Sequence, residues 1–393
     1  MKHGSTSTSL PLILIFLIFS MLLNCMGIMI LQFSEENISF QGLGFLESFK
    51  DLPIALASLF AVQYINRFGT LFSLKVTTAF LAVCCFLVPL LDSFWLMKMW
   101  FVFVGLAFAV GKITTFSLLR TNYSKTGLVE VMNQVEASFM FGIFAVNMGF
   151  GWLLGSRFKE YWTFGFWGIA LLALLATVLL YKVPMIDTPK NLKEEKSGNL
   201  LSLLNSKTVL FLSIMFFIVF IEQCLNSWLP TFYRDHFKVS TQFALQSSAF
   251  LALFSFAGRF LTSKLIHRFS WFRYIIFCVS FLMLLLILMY VFMNYYEVHS
   301  FFLVYLIPMI GLFLSPLYPV INSKMISQYE PSKVSQLISL LVIASSLGSS
   351  FGSIYISWAF HFDLSELYPI FILCPILLLT MMIFFFRKSN LSK

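Results

Sequence analysis

The stretch that decides the fold is Lys182–Lys207. Inside it lies Asp187-Thr188-Pro189-Lys190-Asn191-Leu192-Lys193-Glu194-Glu195-Lys196-Ser197-Gly198-Asn199, the only long polar run before the end of the chain. It falls almost at the midpoint of 393 residues. Each flank is nearly all apolar and is cut by short polar breaks into runs of about 20 residues, the helical length that crosses a bilayer core of roughly 30 Å. A chain divided in this way reads as two bundles of membrane helices joined by one cytoplasmic linker. The expected boundaries are 1–182 for the first bundle, 183–207 for the linker and 208–393 for the second bundle.

Composition leads to the same class. With 59% hydrophobic and 11% charged residues, 49 Phe among them, the chain lacks the roughly 25% charge of a soluble domain. An all-α polytopic membrane protein is the class that fits. The six cysteines (Cys25, Cys84, Cys85, Cys224, Cys278 and Cys374) all sit in apolar runs. They read as buried, reduced packing residues, since no spacing marks a metal site or a disulfide framework.

Twelve spans are expected: 10–32, 43–65, 72–92, 95–119, 132–155, 162–182, 208–231, 243–265, 273–295, 300–323, 335–358 and 366–386. They leave no room for a soluble domain. The first run is too long for a signal-peptide core and has no small-residue cleavage site. With the N-terminus inside, eighteen Lys and Arg fall at or near the cytoplasmic ends. Five fall outside (Lys98, Arg157, Lys159, Arg234, Lys238), and three lie within spans (Lys50, Lys112, Arg259). By the positive-inside rule both termini are cytoplasmic. The net charge of +9 is then an insertion signal and not a nucleic-acid surface. The expected setting is a bacterial cytoplasmic (inner) membrane, with the chain a monomer.

The two halves repeat each other. Ile65-Asn66-Arg67-Phe68-Gly69 follows span 2, and Ile266-His267-Arg268-Phe269-Ser270 follows span 8 at an offset of 201; Gly151 and Gly352 share that offset. Spans 4 and 10 align at an offset of 206, pairing Gly105-Leu106 with Gly311-Leu312 and Tyr123 with Tyr329. Corresponding matches in a six-plus-six layout point to a duplicated bundle.

This layout resembles the major facilitator fold, two pseudo-symmetric six-helix bundles. Asn66-Arg67-Phe68-Gly69 is similar to the family's loop between helices 2 and 3, usually Gly-x-x-x-Asp-Arg-x-Gly, with Asn66 where the Asp stands and no leading Gly. Such a loop caps helix ends and latches the halves together, which makes Arg67 and its counterpart Arg268 candidate interdomain charges. Glu222-Gln223-Cys224-Leu225-Asn226-Ser227-Trp228-Leu229-Pro230-Thr231-Phe232-Tyr233, Gly258-Arg259 and Ser315-Pro316-Leu317-Tyr318-Pro319 resemble the fucose:proton symporter group. Members of that group commonly carry acids on helices 1 and 4. Here span 1 has none, Asn24 being its polar interior residue, and span 4 carries Lys112, so hexose–proton symport does not carry over directly.

An ionisable side chain within a bilayer costs about 2.5–3.5 kcal/mol on insertion scales, so each marks either a function or a structural pair. Glu47, Lys50, Asp51, Lys112, Glu136, Glu222 and Arg259 lie on spans 2, 4, 5, 7 and 8. The resemblance implies that spans 3, 6, 9 and 12 face lipid, and their interiors carry none. Glu222 is the leading candidate for proton coupling, expected about nine residues from the outer end of span 7, roughly 13 Å deep at 1.5 Å per residue. A carboxyl at that depth suits proton uptake and release. With Asn226 on the same face and Trp228 beyond, it offers carboxylate, amide and indole to a sugar-like or other polyhydroxylated ligand. The alternative is a structural pair of Glu222 with Arg259 or Lys112.

Lys112 reads as an anion-binding group or as a lock to Glu136. Glu47, Lys50 and Asp51, at i, i+3 and i+4, share a helix face and read as an outer gate or as a partly solvated, snorkelling cluster. Arg259 reads as a staple of the closed cytoplasmic face. Tyr318, with Pro308, Pro316 and Pro319, marks a bent span 10. Gly142, Gly149, Gly151, Gly155, Gly348 and Gly352 read as packing surfaces. The five His fall in loops or near the N-terminus. No phosphate-cradling loop, nucleophile triad or metal cluster is present, and the absence of a Walker sequence argues against ATP-driven pumping.

The function expected is secondary active transport of a small polar organic solute, sugar-like or an organic acid, by alternating access and coupled to protons, with no cofactor and no enzymatic activity. The alternatives are an exporter of drugs or of a siderophore-like metabolite, and a non-transporting membrane sensor or scaffold.

Overall fold

The computed structural model describes residues 6–91, 93–123, 125–187, 203–265, 268–295, 304–326 and 331–391. The linker core, Ile266-His267 and Tyr329 of the repeat matches lie outside the described residues. The described chain is helical: α1 Thr6–Leu23, α2 Met26–Glu35, α3 Phe40–Gly44, α4 Ser48–Phe68, α5 Thr70–Leu87, α6 Phe94–Asn122, α7 Lys125–Leu154, α8 Gly165–Lys182, α9 Ser206–Asn226, α10 Leu229–Phe237, α11 Thr241–Leu265, α12 Trp271–Tyr295, α13 Ile310–Leu314, α14 Leu317–Ile326, α15 Pro331–His361 and α16 Tyr368–Leu391. Eleven spans among the described residues are long and apolar enough to cross a membrane, where twelve were expected. The missing one is α4: its 21 residues suffice in length, but Lys50, Asp51 and Arg67 make it more polar.

Three expected spans are broken, two of them at prolines and one at a side chain that arrives from another helix. Pro230 is the second residue of α10. Its ring would strike the carbonyl four residues back, at Asn226, so α9 stops there and α10 restarts after Trp228. In the first span no proline stands at the break, Pro11 lying near the start of α1. Asn24 Nδ2 donates to the Ser20 carbonyl at 2.9 Å, a side-chain bond that competes with helix continuation, and Lys50 Nζ donates to the terminal Leu23 carbonyl at 2.9 Å. The ammonium thereby sits at the negative end of α1, where a cation is stabilising. In the tenth span Pro308, Pro316 and Pro319 give the expected irregularity, α13 and α14 being separated at Ser315-Pro316.

Packing divides the chain into two units with boundaries other than 1–182, 183–207 and 208–393. One comprises Met1–Cys25 with Phe49–Glu195, the other Met26–Ser48 with Lys196–Lys393. The break after Leu23 is the physical reason: it frees α2 and α3 to pack with later helices of the chain. Inside the first unit α1 lies on α7 and α8, and α5 on α6 and α8; inside the second, α9 lies on α15 and α16, and α12 on α16. The internal repeat is visible in these contacts. Gly105 of α6 meets the Lys50 carbonyl of α4, and Gly311 of α13 meets the Leu251 carbonyl of α11; 105 pairs with 311 and 50 with 251 at the offsets found in the sequence. A helix side chain at either glycine would hold its neighbour away.

The helices expected to face lipid carry exposed apolar side chains, among them Phe72, Phe80, Leu171, Leu174, Phe277, Leu284, Leu377 and Phe384. Five of the cysteines are buried, but Cys374 is exposed on α16, against expectation. Two of the histidines stand in helices and not in loops: His236 in α10, and His361 as the last residue of α15.

Candidate functional site

Glu222 lies on α9 one turn before the break at Ser227-Trp228, nearer the helix end than the nine residues expected, because α9 ends at Asn226 and not at 231. Its side chain is half-buried. It makes no hydrogen bond or close ion pair among the described residues, and Arg259 of α11 is the charged group that acts on it. Arg259, expected as a staple, has its Nε buried and without a hydrogen-bond partner. Carboxylate and guanidinium thus influence each other across low-dielectric surroundings while keeping hydrogen-bonding capacity for a third group. Asn226, four residues on, shares the Glu222 face and is likewise half-buried. The opposite face of α9 is taken up by α15: Gly348 and Gly352 abut the carbonyls of Phe216 and Phe220, and Cys224 Sγ donates to the Gly352 carbonyl at 3.3 Å.

Trp228 does not join this face. Its indole is 0% exposed, donates from Nε1 to Ser353 Oγ at 2.9 Å and stacks on Phe360 with centroids 5.1 Å apart. It is a packing residue at the start of α10, so the expected carboxylate–amide–indole trio reduces to Glu222 and Asn226. Gln223, adjacent to Glu222, turns the other way.

Gln223 reaches Glu47, and this corrects the expected trio of Glu47, Lys50 and Asp51. These three are 0%, 4% and 4% exposed, so the cluster does not snorkel. Glu47 ends a 3-10 turn, Phe45–Glu47, and belongs to the second unit, where its carboxylate accepts from Gln223 Nε2 at 2.7 Å and from Ser227 Oγ at 3.4 Å. Gln223 Nε2 also bonds Ser227 Oγ. Lys50 and Asp51 are in α4 of the first unit, paired at 3.8 Å, with Lys50 holding the end of α1. The 3-10 turn before α4 breaks the i, i+3, i+4 geometry, and the three side chains serve two different helix breaks.

The second unit holds α2 and α3 by further contacts that the sequence did not announce. Arg234 of α10 donates to the Leu31 carbonyl at 3.1 Å and to Ser34 Oγ at 2.9 Å, and lies 3.6 Å from Glu35. Phe40 packs against both Trp228 and Phe360, with centroids 6.2 and 5.7 Å away.

In the first unit, Lys112 of α6 is half-buried over the Phe108 ring at 5.6 Å, with Glu136 of α7 as its charged neighbour. It makes no hydrogen bond among the described residues. The 206 offset that pairs Gly105 with Gly311 also pairs Lys112 with Tyr318 of α14, a correspondence available in the sequence and not drawn from it. Asn24 is spent on its own helix turn. Arg67 is exposed beside Phe68, and Arg268 is exposed. Among the described residues no three His, Cys, Asp or Glu gather closely enough to hold a metal ion.

The model of the Major Facilitator Superfamily matches residues 12–353. No curated protein matches the chain. Among solved structures, the chain is similar to a D-xylose-proton symporter, with 15% identity, TM-score 0.78, and 95% of this chain and 96% of that one covered. It is similar to a bacterial homolog of the human lysosomal transporter Spinster, with 15% identity, TM-score 0.72, and 99% and 98% covered. A third likeness is to the nucleoside transporter NupG, in mutant form, with 12% identity, TM-score 0.70, and 97% and 99% covered. At such identities these likenesses speak for the fold. The family match over most of the chain, joined to eleven apolar spans, settles the class: this chain belongs to the Major Facilitator Superfamily and is a multi-pass integral membrane transporter of small molecules, not an enzyme.

Proposed function

We propose that the chain is a proton-coupled secondary transporter that moves a small polar organic solute, sugar-like or an organic acid, by alternating access, with Glu222 as the coupling acid. One observation carries this reading. Glu222 sits in a membrane helix next to a break, makes no hydrogen bond or close ion pair among the described residues, and has an arginine as its charged neighbour. A half-buried acid in that setting exchanges a proton as its surroundings change, and the guanidinium offers the alternative partner that couples the proton to a solute. Asn226 adds an amide that donates and accepts, suited to hydroxyls or a carboxylate. The patches on spans 7, 8 and 10 support placement near the fucose:proton symporter group, although the acid-free first span sets the chain apart from it. On this reading the protein works as a monomer in a bacterial inner membrane, both termini cytoplasmic, without nucleic-acid partners.

A second reading has one observation in its favour. Lys112 keeps its three N–H donors unbonded among the described residues, which favours an anionic solute and an exporter of drugs or of a siderophore-like polycarboxylate. Proteoliposomes separate the readings. A panel of sugars, organic acids and polycarboxylates is offered with and without an imposed pH gradient, and accumulation is followed in wild type and in Glu222→Gln. Movement of no solute in any arm would favour a sensor or scaffold.

A further inference from the structure

The start of the linker is tied to the first unit at two adjacent residues. Asn122, the last residue of α6, accepts the Ile186 N–H on Oδ1 at 2.8 Å and donates from Nδ2 to the Ile186 carbonyl at 2.9 Å. Its Nδ2 also donates to the Leu118 carbonyl at 2.9 Å, which fixes the amide against its own helix. One residue on, Asp187 Oδ1 accepts the Leu71 N–H at 3.0 Å. Leu71 is the second residue of α5, which begins after Gly69 with no side-chain cap and no acid in its first turn. The first amides of a helix have no acceptor within it, and the positive end of the helix favours a carboxylate. Asp187 meets both needs from a position 116 residues along the chain. Gly69 has φ +94°, and a Cβ there would lie 2.9 Å from Asp187 Oδ2; only glycine both takes that backbone angle and admits the carboxylate.

We propose that Ile186 and Asp187 form a strap, a conformational device that joins the end of α6 to the start of α5 as one cooperative unit. The two clamps sit on neighbouring residues whose Cα atoms are about 3.8 Å apart, so the release of either withdraws the other. A further contact at the same end, Lys75 Nζ over the Tyr181 ring at 4.2 Å, ties α5 to α8, from which the strap emerges.

Hydrogen exchange on the full-length protein in detergent micelles, read on the first turn of α5, tests this. Asp187→Ala raises exchange at Leu71 about fivefold, the change that loss of a helix cap carries. Asn122→Ala, which removes bonds to Ile186 and Leu118, raises it comparably. The double variant raises it no further than either single one, the non-additivity of groups acting together. Asp187→Asn retains an acceptor oxygen and restores most of the protection, which also keeps the test open should the alanine variant fold poorly. Unchanged exchange at Leu71 in Asn122→Ala, or a double variant whose increase is the product of the two single ones, would overturn the strap.

Discussion

Arg234→Ala tests whether Met26–Ser48 is held in the second unit by a specific clasp. The guanidinium is 18% exposed and gives hydrogen bonds of 3.1 Å to the Leu31 carbonyl and 2.9 Å to Ser34 Oγ, both in the last turn of α2. Hydrogen bonds to a charged group contribute about 1.5–3 kcal/mol each, and a cation at a helix C-terminus adds about 0.3–1 kcal/mol. Against this stands about 2 kcal/mol for ordering a long arginine side chain. The Glu35 carboxylate is 53% exposed and 3.6 Å away, so solvent screens it and it counts for little. Asp235 is a neighbour on the same helix and orients the guanidinium without tying it to α2. The balance is about 1–5 kcal/mol, at its low end roughly a fivefold rise in detachment of α2, since each 1.4 kcal/mol is tenfold. Hydrogen exchange over Met26–Glu35 reads this directly, because local opening sets the exchange rate. If exchange in the variant stays within about twofold of wild type, the clasp is not what holds α2, and apolar packing such as Phe40 on Trp228 and Phe360 must hold it instead.

Two further outcomes are expected. Burial holds the His236 imidazole below its usual 6.5, with Glu366 pulling it up and Lys238 pushing it further down. The fold thus favours neutral His236, and its contribution is full above 6.5 and is lost as pH falls from there through the folded value; melting temperature should drop in that window, and His236→Gln should lessen the drop. Gly105→Ala and Gly311→Ala should each cost about 1–3 kcal/mol by overpacking, seen as lower thermal stability, because each new methyl meets a backbone carbonyl, at 2.6 Å in the case of Gly311. Gly149→Ala, with nothing within 4 Å of the new methyl, should be neutral or stabilise by up to about 1 kcal/mol through helix propensity.

The parts of this fold that the sequence made legible are those written in local pattern or in repetition. Runs of apolar residues gave the helices, and the spacing of Gly105 and Gly311 gave the duplication that the α4–α6 and α11–α13 contacts display. Prolines announced the irregular tenth span. Pro230 announced the break in the seventh equally well, through its clash with position 226, but it lay inside an apolar run and was absorbed into a single span. The break in the first span carries no such signal, since it depends on Lys50 returning 27 residues later to the Leu23 carbonyl. Partners of that kind are set by tertiary packing. Gln223 meets Glu47 across 176 residues, and Arg234 meets Leu31 across 203. The same distance hid the role of Trp228, whose amphipathic ring suits a ligand or a core equally until Ser353 and Phe360 take both of its surfaces.

Proton coupling through Glu222 is tested most directly by accumulation and exchange in proteoliposomes, wild type beside Glu222→Gln, with the solute that the panel identifies. Glutamine keeps the shape and an acceptor oxygen but cannot ionise, so Arg259 then meets a neutral amide at this position. The expected result is that the variant still binds solute and still exchanges it between two loaded pools, while accumulation driven by an imposed pH gradient is lost. Gradient-driven accumulation at the wild-type level in Glu222→Gln would contradict the account and remove Glu222 as the coupling acid.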